Sequence, residues 1–200
     1  MAFRGKVGDS AKSRDESPLS QAPVEQLHGP ILSNVKALSQ SDQRHFEAAQ
    51  GWLILGNLIE ANEDLDNITP LMRAHPDVLA LRWAICAKAG KWEAAFEIAR
   101  TLVQFLPDDA SSWLKQAESL RKIKEGGAKA ALESLLPIAH RFQDSVVLLY
   151  SLACYSCQAG DRKAAWKWLE CAMDKGGDRI KLLALDDKEL EPLWADISEV

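Results

Sequence analysis

The sequence predicts an all-α chain of stacked helix pairs, a short solenoid. Glycines stand at Gly56, Gly90, Gly126 and Gly160, at intervals of 34, 36 and 34 residues. Five residues after each comes an alanine: Ala61, Ala95, Ala131 and Ala165. Between these marks apolar residues recur at helical spacing. A period of this length is the mark of helix–turn–helix repeats, whose units are amphipathic on two sides and must stack to bury both.

Each element has a physical reason. Two helices of a pair need a tight turn, and glycine supplies the backbone freedom for it. The small alanine lets the second helix approach the first. Asp42, Asp77, Asp108-Asp109 and Asp144-Ser145 lie where the first helix of each unit starts, which suits N-capping and the helix dipole. Pro76 and Pro107 fall between units, where a proline is harmless, whereas Pro70 and Pro137 fall late in second helices. Each of these two is expected to bend or end its helix about four residues upstream. Residues 1–40 are rich in Ser, Pro, Gly, Gln and charge, and read as a mostly disordered tail. Val24, Leu27, Ile31, Leu32, Val35 and Leu38 give it one weakly apolar stretch that can dock. Residues 41–200 read as the helical repeat domain.

The fourth unit is the clearest. It carries Leu152-Ala153, then Gln158-Ala159-Gly160-Asp161, then Ala165, Leu169 and Ala172 at fixed offsets. This resembles the tetratricopeptide repeat family. The second unit matches from Ala89-Gly90-Lys91-Trp92 through Ala95 to Pro107, the third opens with Trp113 and Ala117 but has two extra residues before Gly126, and the first is the most degenerate. The resemblance spans residues 42–174, and with the ending Asp187-Lys188-Glu189-Leu190-Glu191-Pro192-Leu193-Trp194 it is similar to uncharacterised bacterial tetratricopeptide proteins. It implies a right-handed α-solenoid of four helix pairs plus a C-terminal capping helix. Leu190, Leu193 and Trp194 are expected to cover the last unit.

Composition narrows the function classes. The net charge is −5 over the chain and −6 over residues 41–200. An acidic body without a basic stripe is poor material for phosphate backbones, so neither nucleic acid nor a membrane surface is an expected partner. The start lacks the apolar core of a secretory signal, so a cytoplasmic location is expected, with Cys86, Cys154, Cys157 and Cys171 as thiols. There is no Gly-x-Gly-x-x-Gly and no His-Glu-x-x-His. Cys154 and Cys157 form one Cys-x-x-Cys inside a predicted helix, without the second pair that zinc needs. No enzyme activity, cofactor or metal is expected.

The resemblance implies that first helices line a concave groove. The groove-facing positions are then Phe46, Gln50 and Leu53; Ala80, Ala84 and Ala87; Leu114, Glu118 and Arg121; and Tyr150, Cys154 and Cys157. Only Arg121 among them is basic, which argues against a clamp for a terminal carboxylate. The expected role is a non-catalytic scaffold or adaptor that grips a protein or peptide, such as an amphipathic helix or an extended apolar segment. The chain's own residues 27–38 folding back into the groove is one alternative. A structural repeat domain that self-associates is another.

Overall fold

A computed structural model describes residues 37–199. Helices α1 (Gln40–Leu55) and α2 (Leu58–Asn67) make the first pair, α3 (Pro76–Lys88) and α4 (Trp92–Phe105) the second. Helices α5 (Ala110–Lys122) and α6 (Ala128–Leu135) make the third, α7 (Val146–Gln158) and α8 (Arg162–Gly176) the fourth. The described residues contain no strand. The partners of each pair pack on one another, and each second helix then meets the next unit's first helix, α4 on α5 and α6 on α7. First helices also lie side by side, α1 with α3 and α5 with α7. The predicted tail and its docking on the groove lie outside the described residues, except that Leu38 packs on the first core.

The repeat marks act as predicted. Gly56, Gly90 and Gly160 end their first helices with φ of 80°, 70° and 87°, a left-handed backbone that side chains disfavour. Ala61, Ala95, Ala131 and Ala165 are all fully buried. The third unit departs, because its two extra residues widen the turn. There the left-handed residue is Gly127, and a Cβ on Gly126 would stand 1.7 Å from the Leu120 carbonyl oxygen.

The capping is partly different from expectation. Asp109 accepts from the Ser111 and Ser112 amides, and Ser145 from that of Leu148. In the first two units the caps are instead Ser39 and His75. Asp42 is thereby free to reach across the unit. It accepts the Thr69 amide at 2.7 Å and the Thr69 hydroxyl at 3.1 Å, tying the start of α1 to the chain leaving α2. The prolines also act closer than expected. Helix α2 stops at Asn67, three residues before Pro70, and α6 gives way at Leu135 to a 3-10 helix, Leu136–Arg141, that contains Pro137. A tighter helix keeps hydrogen bonding where the proline removes an α-type donor.

Two cores result. Ala49, Ala61, Leu65, Ile68, Val78, Leu81 and Ile85 fill the first. The larger one runs from Ala117 through α7 and α8 to Leu190, Leu193 and Ile197. The predicted capping helix is three pieces: α9 (Asp178–Asp186), a 3-10 helix Lys188–Leu193, and α10 (Trp194–Ser198). Pro192 prevents one continuous helix. Burying Leu190 and Leu193 contributes roughly 1.5–3 kcal/mol each.

Candidate functional site: the concave face

The predicted groove residues divide into two groups. Phe46, Gln50, Leu53, Ala80, Ala84, Ala87, Leu114, Glu118 and Arg121 are half-buried. Tyr150, Cys154 and Cys157 are 1%, 1% and 9% exposed, so no partner reaches them in this arrangement. What covers that end is the chain itself. Residues 187–193, the strap, pack against α7 and reach α5.

Three ties seat the strap, and a fourth bond orders it internally. Tyr150 donates its hydroxyl to Asp187 Oδ2 at 2.9 Å, and the Cys154 thiol stands 3.8 Å from the same oxygen. The Glu189 amide donates to Asp187 Oδ1 at 2.9 Å, so the buried carboxylate caps its own 3-10 helix. Arg121 donates to Glu189 Oε1 at 2.6 Å while its guanidinium lies 5.6 Å from the Tyr155 ring. The one basic residue predicted to face the groove is thus already engaged. The sequence reads this ending as a cap and does not reveal Asp187 and Glu189 as groove occupants. A single basic residue in a mostly apolar row, with a paired acidic segment further on, is the signal that points to them.

Electrostatics follow from this closure. Burial pushes the Cys154 thiol well above its ordinary range, and the charges of Asp187 and Glu189 push it further. Burial likewise raises the Tyr150 and Tyr155 phenols. Burial opposes the charge on Arg121, but Glu189 and Tyr155 more than offset it. Glu118 is raised chiefly by burial, against the pull of Arg121 and Lys122. Cys154, Asp187 and Glu189 bring their ligand atoms within 4.8 Å of one another. They do not fit a metal centre: Asp187 is occupied by Tyr150, Glu189 is held by a guanidinium that repels a cation, and one thiol alone remains of the four ligands zinc takes. A protonated buried thiol is also no nucleophile.

In the first two units, and at Leu114 of the third, the predicted row positions stay half-buried. Trp83 donates to Ser119 Oγ at 2.9 Å, which joins α3 to α5. Lys115 lies 5.7 Å from the Trp83 ring and contacts Ser111, and burial lowers its pKa. Lys88 donates to the Leu53 carbonyl at 2.9 Å, which satisfies the end of α1. Beside these cations lie Leu53, Ala80, Ala84 and Leu114, an apolar strip with a basic margin.

No helix among the described residues is long and apolar enough to cross a membrane. No family model matches the chain, and no curated protein matches it. Solved structures do. One titled "MamA RS-1 ArsTM double mutant" matches with a TM-score of 0.60 at 16% identity, over 82% of this chain and 96% of that one. One titled "Crystal structure of MamA" matches with a TM-score of 0.59 at 14% identity, over 70% of this chain and 81% of that one. At such identities the likeness speaks of the fold alone, and with the helix pairs described above it makes this chain an all-α solenoid of tetratricopeptide type.

Proposed function

We propose that the chain is a non-catalytic scaffold, which holds a segment of another protein along the concave face of its first three units. One observation carries the reading. The strip from Phe46 to Leu114 is half-buried and, Gln50 apart, apolar, while the continuation of the same row in the fourth unit is covered by a chain segment. The row that is covered by a 3-10 helix at one end continues uncovered into units whose lining positions are of the same kind. Apolar anchors at Leu53, Ala84 and Leu114 with Lys88 and Lys122 at the margin suit an amphipathic helix or an extended apolar segment that carries some acid. The acidic body fits a cytoplasmic scaffold better than a nucleic-acid binder.

Photo-crosslinking side chains placed at Ala84, at Leu114 and, as a control, at the exposed Glu133 of α6 test this. The first two should crosslink one common partner in cells, and the third should not. The pair Ala84→Asp and Leu114→Asp should then weaken capture of that partner by about a hundredfold or more, the loss expected when central anchors go. If the doubly changed chain keeps its helix content and captures the partner equally well, the concave face is not the binding surface.

A further inference from the structure

We propose that the strap is an exchangeable occupant, and that the surface beneath it is a second docking site for an acidic segment of another protein, with two carboxylates two residues apart and leucine next. The proposal rests on the scaffold reading above and supplies the partner chemistry for the groove's closed end. The chain shows what this surface binds by binding it. Asp187 meets Tyr150 and Cys154, Glu189 meets Arg121, and Leu190 and Leu193 are fully buried in the larger core.

Two features separate this from an ordinary end cap. First, it lies across the predicted binding row, on Tyr150 and Cys154, and not only against the outer end of the last pair. Second, the receiving side offers Arg121, which is 9% exposed at its side chain and is the one basic residue on that row. Glu189 bonds it at 2.6 Å, whereas Glu118 on the same row acts on it as a counter-charge without such a bond. An incoming segment must replace the bond that Arg121 loses, because a covered guanidinium short of partners is penalised. A neutral or basic partner cannot restore that bond. A segment with Glu or Asp at the two matching places can, since it restores each tie and fills the two leucine sites.

A fluorescent synthetic peptide of residues 187–199 is the probe, added to the full-length chain. The unaltered chain should bind it weakly, because its own strap competes. The full chain carrying Asp187→Asn and Glu189→Gln, checked for unchanged helix content, should bind it at least about tenfold more tightly, since the competent state is then more populated. Adding Arg121→Gln should remove that gain, and so should a peptide with both acids replaced by amides. Equal binding by both chains, or by neither, overturns the proposal. Sedimentation supplies one more outcome: if the loosened chain dimerises and ignores the peptide, straps exchange between copies and the partner reading fails. Should the loosened chain unfold, hydrogen exchange on the unaltered chain decides. Amides of residues 187–193 should exchange at least about tenfold faster than those of α7, whereas matching rates mean the strap opens only with the whole unit. None of these readouts involves Ala84 or Leu114, so failure here leaves the open-groove test untouched, and failure there leaves this one standing.

Discussion

Helices α1 and α7 hold the same place in the first and fourth helix pairs, yet they are buried to opposite degrees. Residues 148–157 of α7 are buried without a break, whereas α1 buries only Asp42 and Ala49. The cause is in the side chains. Helix α1 carries Arg44 and Glu47, both exposed, and so has a face for water. Helix α7 has no charged residue from Val146 to Gln158, and a helix apolar all round must be enclosed. Its pair partner and the preceding unit cover two sides. The strap covers the third, on the side where α1 is left open. At the first unit Ile54, Leu55 and Ile59 stay 75%, 75% and 71% exposed, with nothing in the chain laid over them among the described residues. A row of equivalent positions is therefore not uniform: whether it is covered follows, unit by unit, whether the lining helix can stand alone in water.

The comparison breaks most visibly through the leucines. Leu193→Ala removes a fully buried side chain beside α7 and should cost about 2–5 kcal/mol, read from chemical unfolding. Leu53→Ala, at the half-buried end of α1, should cost under about 1 kcal/mol. Equal costs at the two places would mean that the strap adds no enclosure. A smaller effect tests whether the difference is confined to the groove side. Ala61 and Ala165 are both fully buried between the helices of their own pairs. Changing either to Leu should overpack its pair by about 1–3 kcal/mol, and to a similar extent. A large gap between them would extend the asymmetry into the pair interfaces.

The smallest effect concerns the acid that anchors α1. The Thr69 amide, with Ser39 and the Thr69 hydroxyl, holds the Asp42 carboxyl below its ordinary value. A carboxyl depressed in the folded state adds stability that is fully present above about pH 4, its unfolded range, and is lost as pH falls through the folded value. Asp42→Asn should therefore lower the melting temperature near pH 7 and make little difference in strong acid. A melting-temperature gap that stays constant across that range would assign the effect to packing and not to charge.

Much of the fold is legible in the sequence because the repeat writes the same physical demand four times. The glycines and alanines of the turns need backbone freedom and close approach, and those demands depend on neighbours only a few residues away. The strap is not legible in the same way. Asp187 and Tyr150 are far apart in sequence, and no period relates them. Their pairing follows from what α7 lacks, a polar face, and from one arginine in need of an acid. The same is true of Asp42, which reads locally as a helix-start residue and acts instead on Thr69. Local rules name the places that need a partner; only the assembled chain says which residue answers.

The Arg121–Glu189 contact has a mechanical consequence. An array of this kind flexes by small rotations between neighbouring units, opening and tightening its curvature like a spring. The strap belongs to the end of the fourth unit, but Arg121 belongs to the third. The 2.6 Å bond between them spans the two units and must lengthen whenever they part there. Between the first and second units the cross-ties are a lysine on the Leu53 carbonyl and an arginine on the exposed Asp66, both softer restraints. Compliance is thus graded along the molecule, with a stiff C-terminal block and a first pair that is freer to swing.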